Sequence, residues 1–192
     1  CNMSHSYLFT LYVFIIYLLD KLYKRPNYPI AMLLGLLAGL AVLTRPTEIV
    51  CMIPIVLWRI SSFADIKNRI TFFKEHFFKS IAFALTAIAV GSIQLIYWKT
   101  YSGSWIFWSY GNNETFSFLH PHILNGLFSY KKGWFVYTPV MILIVPGFYF
   151  LYKRYRSIFL AVLLFCIVNI YLVFSWDCWW YGGSFSQRSV SR

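Results

Sequence analysis

Residues 158–176, IFLAVLLFCIVNIYLVFSW, decide the fold class of this chain. This run of 19 residues contains no Asp, Glu, Lys or Arg. A helix of that length rises about 28 Å, which matches the roughly 30 Å hydrocarbon core of a bilayer. Residues 81–98 and 134–152 are apolar runs of 18 and 19 residues. The sequence therefore predicts helices that cross a membrane.

Three further apolar runs precede these, over residues 7–19, 30–43 and 49–58. The whole composition agrees with them, since 59% of the residues are hydrophobic and only 12% are charged, against about 25% charged in average soluble domains. We therefore predict an all-α, polytopic transmembrane helix bundle with about six membrane helices. Residues 1–192 are expected to form a single transmembrane domain.

The formal net charge of +11 comes from cations that lie between the apolar runs. No basic run is long enough to follow a nucleic-acid backbone, so we expect no nucleic-acid partner. The positive-inside rule places the richer set of connections in the cytoplasm and leaves both termini, residues 45–48 and the 99–133 loop outside. The richer set contains 11 of the 17 cations, namely Lys21, Lys24, Arg25, Arg59, Lys67, Arg69, Lys74, Lys79, Lys153, Arg154 and Arg156.

The cytoplasmic connection 59–79 has a helical pattern of its own. Its apolar residues recur at spacings of three and four and form one stripe, which contains Ile60, Phe63, Ile66, Ile70, Phe73 and Phe77. This pattern predicts an interfacial amphipathic helix that lies on anionic lipid. A docking surface for a cytoplasmic partner is the alternative.

The first candidate site is the tip of the hairpin formed by runs 30–43 and 49–58. Both runs are shorter than the hydrocarbon core, so the tip either lies below the outer surface or is extended to it by flanking residues. In the first case Arg45 and Glu48 line a polar recess within the protein, because lipid does not accept ionisable groups. In the second they form a local pair in a turn at the headgroup level. Gly35 and Gly39 form a GxxxG pattern that predicts helix packing.

The second candidate site is the aromatic-rich 99–133 loop. Its aromatic residues suit a membrane-interface belt, with stacking on sugar as a second use. Lys131 and Lys132 precede an apolar run on the outer side, where cations are disfavoured, so they are candidates for binding an anionic ligand or a lipid headgroup. His120 and His122 lack a third ligand nearby, and we expect no metal site.

The third candidate site follows the last apolar run. Residues 176–188, WDCWWYGGSFSQR, combine aromatic side chains with the carboxylate of Asp177, the amide of Gln187 and the guanidinium of Arg188. Apolar walls with a few polar groups are typical of a ligand pocket, and Trp180 is the aromatic residue that we assign to its rim. An aromatic belt followed by a turn is the alternative.

Together these segments resemble bacterial members of the GT-C glycosyltransferase superfamily, in the group called family 39 or protein-mannosyltransferase-like. The resemblance rests on three stretches in the same order, 35–47 (GLLAGLAVLTRPT), 127–139 (LFSYKKGWFVYTP) and 179–188 (WWYGGSFSQR). It implies a membrane enzyme that moves a sugar from a polyprenyl-phosphate-linked donor to an acceptor on the outer face, with no cofactor. The implied partners are membrane lipid, that donor and a glycan, lipid or protein acceptor. The implied location is the bacterial inner membrane.

In this family a carboxylate in the first outer loop acts as the base, and the chain is expected to begin after that loop. We therefore expect an internal fragment of a larger membrane domain that transfers no sugar by itself. Arg45 and Arg188 are predicted to contact the donor phosphate, because a planar guanidinium can grip two phosphate oxygens. Glu48 is predicted to orient Arg45. A transporter or flippase for lipid-linked saccharides, or a non-catalytic membrane assembly subunit, is the alternative function.

Overall fold

A computed structural model describes residues 4–107 and 115–179, and every named element in these ranges is a helix. The chain falls into two compact units, Cys1–Phe107 and Trp108–Arg192. The first contains α1 (Ser4–Lys24), α2 (Tyr28–Thr44), a 3₁₀ segment (Pro46–Cys51), α3 (Met52–Leu57), α4 (Phe63–Glu75) and α5 (Phe77–Ser102). The second contains α6 (Ile123–Phe128), α7 (Trp134–Tyr137), a 3₁₀ segment (Pro139–Leu143), α8 (Ile144–Arg154) and α9 (Arg156–Phe174). The all-helical class is confirmed for the described residues.

Three of the predicted spans coincide with helices that are long and apolar enough to cross a membrane. These are Ser6–Lys24 within α1, Phe77–Ser102 and Arg156–Phe174. Tyr28–Thr44 and Pro46–Leu57 are shorter apolar segments. The described residues therefore give three candidate spans, where the sequence predicts about six.

The run 134–152 is not the continuous helix that its hydropathy predicts. Helix α7 ends at Tyr137. The next residue, Thr138, has a φ of −134° and a ψ of 67°, which are not helical, and a 3₁₀ turn follows from Pro139. Proline has no N–H to donate, and its ring pushes the preceding residue out of the α region. The break therefore follows from Pro139, whose effect the hydropathy of the run does not show.

Helix α2 packs against α5 through its small residues. A Cβ added at Gly35 would lie 2.1 Å from Thr86 Oγ1 and 2.3 Å from the carbonyl oxygen of Phe83. One at Gly39 would lie 2.8 Å from the carbonyl oxygen of Ala87. Only glycine permits this approach of the two backbones, so the packing role predicted for the GxxxG pattern is confirmed.

Helix α4 begins where the carboxylate of Asp65 accepts hydrogen bonds from the N–H groups of Ser61 and Ser62 at 2.8 and 2.9 Å. These bonds satisfy donors that a helix N-terminus leaves free and lower the pKa of Asp65. The helix covers most of the predicted stripe, and its residues Ile66 and Ile70 are exposed. An exposed apolar stripe on this helix agrees with the predicted placement on lipid.

The side of α4 that packs against the rest of the first unit is not the exposed stripe. It contains Arg69 and Phe72. The Arg69 guanidinium lies 3.7 Å from the ring centre of Tyr23 and donates to the carbonyl oxygen of Trp58. The Phe72 ring lies 4.9 Å from that of Tyr23. Arg69, which the sequence assigned only to the cytoplasmic charge count, thus joins α4 to α1 and to the end of α3.

The second unit packs around Phe174 and Val173 of α9 and Trp134 of α7. Gly126 of α6 lies directly on the Phe174 ring, because a Cβ there would be 2.1 Å from a ring carbon. This contact holds the short helix α6 against the end of α9. The 115–133 segment is therefore anchored by the last turn of α9.

Candidate functional site

The hairpin tip is built where α2 stops at Arg45. The Arg45 N–H still donates to the carbonyl oxygen of Ala41 at 3.1 Å, but its φ of −151° and ψ of 125° are extended. Pro46 forces this change, since a residue before proline avoids the α region. The chain then turns into the 3₁₀ segment, where the N–H of Glu48 donates to the carbonyl oxygen of Arg45 at 2.9 Å.

Glu48 is the only charged residue that is fully buried among the described residues. Its side chain is 1% exposed, and its Oε2 accepts a hydrogen bond of 2.8 Å from the Tyr12 hydroxyl. Arg45, three residues earlier, is half-buried. A buried carboxylate among apolar helices is costly unless donors surround it, so the Tyr12 hydroxyl stabilises Glu48 here. The depth of this tip in the membrane stays a prediction. The role of Glu48 in orienting Arg45 stays a prediction.

Tyr12 is a member of this site that the sequence analysis did not find. It lies in the middle of α1, in a run where tyrosine suits a membrane interface as well as a core. The only signal was its place among apolar residues, where a hydroxyl needs a partner. Its position 36 residues before Glu48 gave no indication of the contact.

Asp177, in the second unit, fastens the 115–117 segment to the end of α9. Its Oδ2 accepts from the Thr115 N–H at 3.2 Å and from the Thr115 hydroxyl at 2.5 Å. Its Oδ1 accepts from the Ser117 hydroxyl. These bonds, from Ser117 first and then Thr115, favour the carboxylate form and lower the pKa of Asp177, and the charge of His122 acts in the same direction.

The backbone strengthens the same attachment. Phe116 and Trp176 form an isolated antiparallel bridge, and the Ser117 N–H donates to the carbonyl oxygen of Ser175 at 2.6 Å. Further along, the His122 N–H donates to the carbonyl oxygen of Phe174 at 2.8 Å. Asp177 therefore positions the part of the loop that leads to α6, and its described bonds are to the chain itself.

Lys131 and Lys132 lie in the tight turn between α6 and α7. The Gly133 N–H closes this turn on the carbonyl oxygen of Ser129 at 2.6 Å, and the Tyr137 hydroxyl donates to the carbonyl oxygen of Tyr130 at 2.5 Å. Lys131 is exposed and Lys132 is half-buried. The turn presents two adjacent cations on a fixed backbone, which suits an anionic ligand.

The remaining predicted site residues, Trp180, Gln187 and Arg188, lie outside the described residues. Within the described ranges the structure thus contains two separate constellations, Arg45 with Glu48 and Tyr12 in the first unit, and Asp177 with Thr115 and Ser117 in the second. No group of three or more His, Cys, Asp or Glu side chains that could hold a metal ion occurs in residues 4–107 and 115–179.

Comparison of the chain with protein-family models, with curated proteins and with solved structures found no match.

Proposed function

We propose that this protein is a membrane glycosyltransferase that moves a sugar from a polyprenyl-phosphate-linked donor to an acceptor on the outer face of the membrane. The buried Glu48, bonded to Tyr12 and three residues from Arg45, carries this proposal. Ionisable groups at membrane depth are functional by default. The three sequence stretches that resemble GT-C glycosyltransferases suggest the reaction class, and the first of them contains Arg45.

The length of α2 supports a site that lies below the outer surface of the membrane. Helix α2 has 17 residues, so at 1.5 Å per residue it extends about 25 Å, less than the roughly 30 Å core. The half-buried Arg45 and the buried Glu48 would then lie inside the outer surface, in contact with protein. The prenyl chain of a lipid-linked donor lies in the bilayer, so its phosphate would approach the recess from the membrane side, whereas a soluble ligand would have to enter from water.

The proposed chemistry places positive charge where the leaving group develops negative charge. As the acceptor hydroxyl attacks the anomeric carbon, the bond from that carbon to the phosphate oxygen breaks and the phosphate takes the electron pair. The proton of the hydroxyl passes to a carboxylate base, which the resemblance places in the first outer loop of the family. Arg45 binds the phosphate, Glu48 orients Arg45, and Tyr12 holds Glu48. In the same proposal Lys131, Lys132, Gln187 and Arg188 bind donor or acceptor, Trp180 stacks on sugar, and Asp177 positions the outer loop.

The proposed topology keeps six membrane helices with both ends outside, in a bacterial inner membrane. Asp20 supports the cytoplasmic placement of two connections in this topology. Its carboxylate pairs with Lys24 at 2.5 Å and with Arg59 at 2.8 Å. The charge rule assigned both of these cations to the cytoplasm. Their pairing with a common carboxylate places the end of α1 and the end of α3 at the same level, as that assignment requires.

Binding of undecaprenyl phosphate to the full chain in phosphatidylcholine nanodiscs tests the proposal. We expect a single saturable site, and we expect Arg45→Gln to weaken it about tenfold, the scale of losing a charge-assisted bond to phosphate. Lys99→Gln is the matched control, because the Lys99 ammonium is an outer cation that already donates to the carbonyl oxygen of Gly103 at 2.7 Å. Equal binding by wild type and Arg45→Gln would refute the assignment.

A second measurement separates transfer from transport. Membranes that contain the protein receive a radiolabelled prenyl-phosphate sugar, and both transferred sugar and lipid that has crossed the bilayer are counted. Label in the acceptor supports a transferase and would contradict the expectation that residues 1–192 transfer no sugar by themselves, whereas intact labelled lipid in the opposite leaflet identifies a flippase.

A further inference from the structure

A cavity lies in the first unit, near the end of α1 that carries Lys24. It has a volume of about 90 Å³, and all five helices of the unit contribute to its wall. One lining residue from each is Tyr23 of α1, Leu34 of α2, Ile55 of α3, Phe72 of α4 and Phe83 of α5. Val56, which also lines it, is 44% exposed, so the cavity reaches the surface.

The size and lining of the cavity restrict its occupant. Sites for drug-sized ligands usually have about 300–1,000 Å³, so this cavity is too small for a soluble molecule of that class. Its wall is almost entirely apolar, which favours apolar groups over water as occupants. A section of a hydrocarbon chain fits both constraints, and a surface that faces lipid supplies such chains.

The polar residues that line the cavity indicate which headgroup this hydrocarbon chain would carry. The Tyr23 hydroxyl donates to the carbonyl oxygen of Ile55 at 2.6 Å, and the Ser80 hydroxyl donates to the carbonyl oxygen of His76 at 3.2 Å. These two hydroxyls are therefore engaged within the protein. The Lys79 ammonium has no protein partner in residues 4–107, and the neighbouring acid, Glu75, does not line the cavity.

We propose that this cavity binds one acyl chain of an anionic phospholipid, with Lys79 bound to the phosphate. Helix α4 connects this site with the membrane surface. Its residues Phe72 and Phe73 line the cavity, and Phe73 also belongs to the predicted lipid-facing stripe together with the exposed Ile66 and Ile70. A lipid held by Lys79 would thus fix α4 on the bilayer. The inference requires the membrane placement of the chain but not sugar transfer.

Photolabelling of the full chain tests this inference. The probes are phosphatidylglycerol and phosphatidylcholine, each with a diazirine near the end of one acyl chain, in phosphatidylcholine nanodiscs. We expect phosphatidylglycerol to label the lining segments 22–34, 52–56 and 72–83, as mapped by mass spectrometry. A cation near a bilayer surface contributes enough attraction for Lys79→Gln to reduce this labelling about fivefold.

Lys79→Arg keeps the charge and should retain the labelling. Lys74→Gln is the matched control, because Lys74 is exposed on α4 and does not line the cavity. Size-exclusion profiles confirm that each variant is folded. Equal labelling by the two lipids, equal loss in Lys74→Gln, or crosslinks outside the lining segments would overturn the proposal. Undecaprenyl phosphate binding should be unchanged in Lys79→Gln, so this inference and the proposed function fail separately.

Discussion

Replacing Gly35 by alanine adds one methyl group at the closest approach of α2 and α5. The new Cβ would lie 2.1 Å from Thr86 Oγ1 and 2.3 Å from the carbonyl oxygen of Phe83, where real Cβ contacts essentially never fall below 3.0 Å. The Thr86 side chain could rotate away, although its hydroxyl donates to the carbonyl oxygens of Ala82 and Phe83 at 2.9 Å. The backbone oxygen of Phe83 cannot rotate, so the two helices must separate.

The size of the effect follows from two opposing contributions. Overpacking of this severity costs about 3 kcal/mol of unfolding free energy, the upper end of the usual range. Alanine gains about 1 kcal/mol over glycine within a helix. The net loss of about 2 kcal/mol corresponds to a fall in melting temperature of about 4–8 °C for a chain of this size.

Gly91→Ala is the matched control, because a Cβ at Gly91 of α5 meets nothing within 4 Å. This variant gains only the helix preference and should melt about 2–4 °C above wild type. Thermal unfolding in detergent, followed by tryptophan fluorescence, measures both variants. If Gly35→Ala melts as high as Gly91→Ala, then α2 and α5 are not in the contact that the structure gives them.

Three further predictions concern single side chains. Tyr12→Phe removes a donor from the buried Glu48 and should lower the unfolding free energy by about 1–3 kcal/mol, as measured by thermal unfolding. Because the folded pKa of Asp177 lies below the usual 3.8, its bonds to the loop contribute fully above that pH and are lost as the pH falls through the folded value. Amide protection of residues 115–122 should therefore decrease in acid, and Asp177→Asn should remove this dependence. Arg69→Ala should lower amide protection across α4, whereas the exposed Lys67→Ala on the same helix should leave it unchanged.

Hydropathy predicted the helices well where the chain contains no backbone constraint. The runs 81–98 and 158–176 lie in helices whose bounds differ from the predicted ones by a few residues, because nothing in them opposes helix formation. The run 134–152 is equally apolar, but Pro139 breaks it. Hydropathy measures the preference for lipid and is insensitive to the missing N–H of a proline.

The candidate site was predictable only in its local part. Arg45 and Glu48 are close in sequence, and the helix break at Pro46 indicates a tip at which ionisable groups need protein around them. The Tyr12 contact and the attachment of Thr115 to Asp177 join residues 36 and 62 positions apart. Such pairs depend on how helices pack, and no local pattern specifies them.

Contacts from α1 and α4 explain how the segment that returns from the tip, residues 49–58, is accommodated among apolar helices. This segment is called the return arm below. Helix α3 ends at Leu57, so the carbonyl oxygens of its last turn lack the donors that a continuing helix would supply. The Tyr23 hydroxyl donates to the carbonyl oxygen of Ile55, and the Arg69 guanidinium donates to that of Trp58. Without water, such groups must find partners within the protein.

Tyr12 and Tyr23 are 11 residues apart, about three helical turns, and therefore lie on the same face of α1. One hydroxyl bonds Glu48 near the start of the return arm and the other bonds Ile55 near its end. These two bonds fix the register of the arm against α1. The position of Glu48 in the unit is thus set by α1 as well as by α2. A change in the register of α1 would move the buried carboxylate, even though α1 contributes no charge to the tip.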